Sequence, residues 1–396
     1  MKRLFTILLA VLSLLSLTAC GGSPTEETSQ EPLVDIQPQE PEAPPEPTPE
    51  ELAAQEVEDL LASLTLEEKV GQLFFVRVPD TDAVSDVSTY HLGGYILFGR
   101  DTADKTADAL IQTIQSYQDA AAVDTGIPLL IGVDEEGGLV ARLANNAAFG
   151  LPKYESAAAV GASGNPADAE NMGRTIGGYL ADYGFTVDFA PVADVYTNPA
   201  NTVIGSRAFA TDANTAAAMA GACARGLASQ GVLPVYKHFP GHGDTAEDSH
   251  NGLAVTYKTH DELAACEWIP YSTNDLTGCA VMVGHIAAPN VTGDLTPASL
   301  SGTMITGYLR GELGFTGLVI TDSMAMHGVT DAYSSGNAAI AAIEAGVDII
   351  LMPEVLSEAF DAVVAAVENG TVSEARLNES VYRVLQYKQL YGIFNP

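Results

Sequence analysis

Residues 233–244 read Leu-Pro-Val-Tyr-Lys-His-Phe-Pro-Gly-His-Gly-Asp. The run Leu233–His238 opens as a strand, and Lys237, His238, His242 and Asp244 crowd onto its end. Seven further runs share that form: Gln72–Val78, Gly94–Phe98, Pro128–Val133, Thr186–Val192, Ala280–His285, Gly317–Thr321 and Asp348–Met352. They are apolar throughout rather than alternating, as strands of a parallel sheet covered on both faces are. Longer Ala-rich helical stretches separate them, among them Thr102–Ala121, Asp168–Tyr183, Thr211–Gln230 and Ser335–Ala345. Eight such units predict an α/β fold, a single (β/α)₈ TIM-type barrel with insertions. A doubly wound sheet is the alternative.

Polar residues gather just after the strands. Asp134-Glu135-Glu136-Gly137-Gly138 follows the third run, and Asp188 and Asp194 lie in or after the fourth. His285 ends the sixth and Thr321-Asp322-Ser323 the seventh. In a barrel these ends converge on one mouth, where such folds place their chemistry.

The chain has 396 residues, 51 acidic against 17 basic, and a net charge of -34. That charge excludes nucleic acid as a partner and adsorption to an anionic membrane, since no basic surface exists to meet phosphate. Aliphatic and aromatic residues at 47% suffice for a large core. The N-terminus has Lys2 and Arg3 before an apolar run too short to span a bilayer. It ends Leu17-Thr18-Ala19-Cys20, which resembles the bacterial lipobox. Residues 1–19 are therefore expected to be a lipoprotein signal peptide and Cys20 the lipidated N-terminus. The alternative is an ordinary secretory signal. Residues 21–50 hold eight prolines, eight acidic residues and no Lys or Arg. Residues 20–50 are thus expected to form a disordered, acidic, Pro-rich tether, with the barrel spanning 51–396. The expected localisation is extracytoplasmic, lipid-anchored to the bacterial membrane. Cys223, Cys266 and Cys279 leave room for one disulfide without choosing the pair.

The segment Lys237–His250, KHFPGHGDTAEDSH, is followed and preceded by other recognisable stretches. They are GGYILFGR (93–100), IGVDEEGGLVARL (131–143), FAPVADV (189–195), SRAF (206–209) and ITDSMAM (320–326). In this order they resemble glycoside hydrolase family 3, in its bacterial β-N-acetylhexosaminidase branch, over nearly all of the chain from residue 65. The resemblance implies a retaining exo-β-N-acetylhexosaminidase acting on N-acetylglucosamine-containing oligosaccharides or muropeptides. It makes Asp322 the nucleophile, His250 the acid/base and Asp248 its partner. An imidazole titrates near neutrality, so it suits both proton transfers. Asp134, Arg142, Arg207, Lys237 and His238 match sugar-binding positions, and carboxylates and guanidiniums suit a polyol's hydroxyls. For Asp322 a helix N-cap is a second reading compatible with the first. For Lys237 the alternative is a plain salt bridge to Asp134 or Asp322. No cofactor or metal is expected, because His238 and His242 straddle a Pro-Gly turn instead of lying on a helix. A monomer is expected. The competing functions are a β-glucosidase or glycoside phosphorylase of the same family, a metal-dependent barrel hydrolase, and a non-catalytic muropeptide-binding lipoprotein.

Overall fold

The structure, a computed structural model, describes residues 47–246 and 252–394. Cys20, the signal peptide and most of the tether, like Asp248 and His250, lie outside the described residues. Thr48 caps the first helix, Pro49–Ser63, and Thr65 caps the second, Leu66–Gly71. Each threonine accepts from the backbone of a glutamate three residues on, and that glutamate answers its N–H.

All eight apolar runs form strands: β1 Phe74–Arg77, β2 Gly94–Leu97, β3 Leu130–Val133, β4 Val187–Asp188, β5 Leu233–Phe239, β6 Ala280–Val283, β7 Val319–Thr321 and β8 Ile350–Leu351. Every neighbouring pair is parallel and follows chain order, with β8 beside β1. A parallel bridge from Ile320 to Ile349 brings β7 against the residue preceding β8 and nearly closes the ring. The architecture is a (β/α)₈ barrel. Several strands are shorter than their apolar runs. β4 itself ends at Asp188, but pairing with β5 goes on past it: the Val235 amide donates to the Ala190 carbonyl, the Lys237 amide to the Pro191 carbonyl, and Val192 bridges Lys237 in parallel.

The barrel interior is packed with side chains. Phe75 and Phe189 meet there at 5.4 Å between ring centres, in a cluster with Ile96, Leu130, Leu233, Met282, Ile320 and Leu351. Gly132 makes room for that pair, since a Cβ on it would stand 2.7 Å from the Phe75 ring and 2.8 Å from the Phe189 ring. A second, larger core lies between the strands and the surrounding helices. The last helix, Glu374–Leu390, packs Val384 and Tyr387 onto the interior cluster, and the Tyr387 hydroxyl donates to the Cys279 carbonyl at the foot of β6. This helix closes the N-terminal end of the barrel. Cys223, Cys266 and Cys279 are free thiols. Among the described residues no helix is long and apolar enough to cross a membrane.

Candidate active site

At the C-terminal mouth lies a cavity of about 280 Å³. Its apolar lining includes Ile96, Met282 and Leu351 from the barrel interior. Asp134, Glu136, Arg142, Arg207, Lys237, His238, His242 and Asp322 also line it. Ligand clefts usually span roughly 300–1,000 Å³, so this one suits a single sugar ring. Six of the residues expected from sequence therefore meet in one place.

The end of β3 divides its three carboxylates by the alternation of an extended chain. Asp134 and Glu136 face the cavity, and Glu135 points away from it. Glu135 accepts from the Leu143 and Ala144 amides at 2.9 and 2.8 Å and from the Tyr179 hydroxyl at 2.8 Å. It thereby pins the turn that carries Arg142. The Arg142 guanidinium lies over the Phe98 ring at 5.5 Å and 3.6 Å from Asp134, and its buried Nε has no protein acceptor among the described residues.

Lys237, at the end of β5, is buried and binds two carboxylates, Asp134 at 2.8 Å and Glu136 at 2.6 Å. Arg207 closes the array with two parallel 2.8 Å hydrogen bonds to Glu136. Burial opposes ionisation of Glu136, but the Lys237 and Arg207 charges outweigh it and pull the carboxyl down to about 2. Burial likewise works against the Lys237 ammonium, and Asp134 and Glu136 reverse it, so the lysine stays charged. The result is a fixed lattice of donors and acceptors along one side of the cavity. Glu136 was not singled out by sequence. The alternation that puts it on the same face as Asp134 was the available signal.

Deeper in, Asp194 accepts from His238 Nδ1 at 2.7 Å and from the His242 amide at 2.6 Å. Burial works against its ionisation, but His238 and then His242 outweigh that and hold the carboxyl below the ordinary carboxylate value. The His238 tautomer is thus set with Nδ1–H on the carboxylate and Nε2 directed elsewhere. The Lys237–His238 peptide bond is cis. The His242 Nδ1 and the Thr245 hydroxyl form a 2.7 Å hydrogen bond, and burial, then His238, lowers the basicity of the ring. Asp188 is fully buried, takes the Glu135 amide on one oxygen, and is pushed well above the usual carboxylate range by burial.

Asp322 stands just past β7 on the cavity wall. Its Oδ1 accepts from the Ser323 amide at 2.7 Å. The N-cap reading fails, because the next helix begins only at His327 with Met326 as its cap. Charge comes instead from side chains. Burial raises the Asp322 carboxyl, but His238, His285 and Lys237 together hold it below the ordinary carboxylate value. His285 is itself oriented by the Ser299 hydroxyl at 2.7 Å and the Ser323 carbonyl at 2.8 Å. An ionised carboxylate, poorly solvated and facing a sugar-sized space, is equipped to attack carbon.

Residues 65–387 match the sequence profile of the glycosyl hydrolase family 3 N terminal domain. The chain belongs to glycosyl hydrolase family 3. It is 36% identical over 399 residues to β-hexosaminidase LpqI of Mycobacterium tuberculosis, covering 98% of this chain and 97% of that protein. Among solved structures it resembles a family 3 β-N-acetylglucosaminidase from Paenibacillus sp. str. FPU-7, with a TM-score of 0.80, 37% identity, and coverage of 84% of this chain and 64% of that one. A family 3 member from Mycobacterium smegmatis str. MC2 155 matches with a TM-score of 0.74, 36% identity, and coverage of 83% and 98%. Within this family 3 fold, Asp134, Arg142, Arg207, Lys237, His238 and Asp322 all border the cavity, while Asp248 and His250 lie outside the described residues. The Lys237 salt bridge weighed from sequence exists, but to Asp134 and Glu136 together.

Proposed function

We propose that this chain is a retaining exo-β-N-acetylglucosaminidase that removes terminal N-acetylglucosamine from cell-wall-type glycans. The observation that carries the reading is Asp322, held ionised in a cavity sized for one sugar and shared with the Asp134–Lys237–Glu136–Arg207 lattice. The names of the relatives support the choice of substrate.

In this reading the lattice and Arg142 take the hydroxyls of the non-reducing sugar. A cavity sized for a single ring admits a chain end and not a chain middle, which is exo action. An Asp322 oxygen attacks the anomeric carbon as the bond to the leaving oxygen breaks, and His250 passes its proton to that oxygen. A glycosyl ester on Asp322 results. Water then gives its proton to His250 and attacks the same carbon, and Asp322 leaves as a carboxylate. Two inversions release the β anomer. Asp248 fixes the His250 tautomer. No metal or cofactor takes part. Lipidation at Cys20 would hold the enzyme, as a monomer, outside the membrane where cell-wall fragments occur.

The test compares a chromogenic β-N-acetylglucosaminide with the matching glucoside, with and without phosphate, and follows the first-released anomer by NMR. Preference for the N-acetylglucosaminide, indifference to phosphate and β product are expected. A first-released α anomer overturns the retaining mechanism. Sugar phosphate as the main product makes the enzyme a phosphorylase. Lost activity that zinc restores after chelation would favour a metallohydrolase. Cys20→Ala should move the protein out of the membrane fraction.

A further inference from the structure

Two buried acids stand behind the cavity without bordering it, Asp188 and Glu135. Past Val133 the chain of β3 runs on through Asp134, Glu135 and Glu136, and the outer two face the sugar-sized space. β3 pairs with β4 at Gly132–Val187 and Val133–Asp188, and the Phe189 amide donates to the Val133 carbonyl. The next amide on that edge of β3, the amide of Glu135, donates instead to a side chain, Asp188 Oδ1, at 2.9 Å. Asp188 thus carries the sheet one step beyond the backbone ladder. It holds the peptide group that joins Asp134 to Glu135.

Glu135 repeats the device one step further out. It pairs with Ala141, and Gly137 with Val140, around a turn in which Gly137 and Gly138 have φ of 83° and 64°. Asp134, Glu136 and Arg142 therefore belong to one hairpin. The two Glu135 oxygens accept from the Leu143 and Ala144 amides, directly after Arg142, and Tyr179 of helix Pro166–Asp182 donates its hydroxyl to the same carboxylate. Burial is the largest influence on both acids and raises both carboxyls. Two acids in such an interior are costly, and packing alone would be served by apolar side chains. Their use of oxygen differs. Asp188 has one oxygen engaged, and its other, buried oxygen has no partner among the described residues. Glu135 has both engaged.

We infer that Asp188 and Glu135 are positioning residues for sugar binding. Asp188, as an acceptor and not as a charge, sets the Asp134–Glu136 segment, and Glu135, through both oxygens, sets Arg142 against it. This rests on Asp134, Glu136 and Arg142 holding the sugar. The sugar's hydroxyls meet these groups before and during the reaction alike, so misplacing the groups weakens binding and spares turnover.

The measurements are kcat and KM on a nitrophenyl β-N-acetylglucosaminide, the inhibition constant of free N-acetylglucosamine, and Tm. Asp188→Ala removes the acceptor and should raise KM and the inhibition constant together by about tenfold, the scale of one hydrogen bond, with kcat changed less than about threefold. Asp188→Asn keeps an oxygen for the Glu135 amide and should restore the native values. Glu135→Gln turns an NH₂ group towards one of its two backbone donors, so it should match Asp188→Ala. An unchanged inhibition constant in Asp188→Ala, a loss confined to kcat, or an Asn variant as weak as the Ala one overturns the inference. Should Asp188→Ala not fold, the contrast between Asp188→Asn and Glu135→Gln decides, and equal affinity in those two overturns it. Asp134→Ala is measured beside them. If that variant binds N-acetylglucosamine as the native protein does, the sugar-binding reading fails and the positioning role with it. If it binds weakly while the Asp188 and Glu135 variants bind as the native protein, only the positioning role is lost.

Discussion

Asp348, at the foot of β8, and Glu136, past the tip of β3, are both buried carboxylates held by several cations, at opposite ends of one barrel. Asp348 accepts from Arg310 at 2.6 Å, Arg383 at 3.0 Å, the Ser380 hydroxyl at 2.7 Å and the Val319 amide at 3.0 Å. Arg376 stands 3.7 Å away. Each guanidinium has further acceptors, such as the Gly346 and Gly317 carbonyls for Arg310. The C-terminal helix covers the whole group. Glu136 holds Lys237 and Arg207 just as firmly, yet these three side chains border a cavity. Buried charge alone does not mark a catalytic site. What marks it is an array satisfied on the protein side with one side left for a ligand.

The largest expected contrast comes from removing one carboxylate at each end. Asp322→Asn should lower kcat roughly 10⁴–10⁶-fold, the scale for losing a nucleophile, with thermal unfolding little changed. Asp348→Ala should do the reverse. Stripping the buried carboxylate from three half-buried guanidiniums should lower stability by about 3–5 kcal/mol, a fall in Tm of about 10 °C, while kcat below the transition stays at the native value. Calorimetry and steady-state kinetics on both variants decide it. A Asp348→Ala enzyme with native Tm and reduced turnover would erase the distinction between the two ends.

Glu136→Gln sharpens the comparison within the site. A neutral amide cannot hold Lys237 and Arg207 with equal strength, so kcat/KM should fall about 100-fold, mostly through KM. The Glu136 carboxyl is pulled from 4.5 to about 2, so its contribution to stability is complete above 4.5 and is lost as pH falls towards 2. The activity ratio of variant to native should therefore be flat between about pH 5 and 8. A ratio that varies across that window would mean that Glu136 itself titrates in the working range.

The two ends were unequally legible in the sequence. All eight strands could be read, because a parallel barrel buries both strand faces and so writes continuous apolar runs. The cavity residues could be read because they sit directly after those runs. Glu136 was hidden among three adjacent acids, and only the alternation of an extended chain separates it from Glu135. Asp194 and Asp244 were visible without a role, since their partners lie on other strands and turns. At the other end, Arg310 and Asp348 are brought together by barrel closure alone. A trace of that site exists in Arg376, Ser380 and Arg383, which fall at helical spacing on one face of the last helix. Nothing local reveals that the face is buried on a carboxylate.

The smallest expected effect concerns Lys388, one turn further along that helix. It is fully buried, and its Nζ donates to Gln72 Oε1 at 2.7 Å. No carboxylate is paired with it among the described residues, in contrast to Lys237, and burial pushes its ammonium from 10.5 down to about 7. The folded protein therefore binds fewer protons than the unfolded chain between those values. Stability should rise with pH across that window, and the burden of the charge is greatest below pH 7. Lys388→Met removes the ionisable group but leaves Gln72 Oε1 without its donor, at a loss of about 1–3 kcal/mol. Against relief of about 4 kcal/mol near neutrality, the net gain is about 1–3 kcal/mol, or a few degrees in Tm. Denaturant titrations at pH 7 and pH 9.5 check this. The native protein should be more stable at the higher pH by an increment that Lys388→Met lacks, with the same kcat in both. If the variant is weaker at pH 7 and keeps that increment, the lysine is as well compensated as Lys237, and the two ends differ only in access to the cavity.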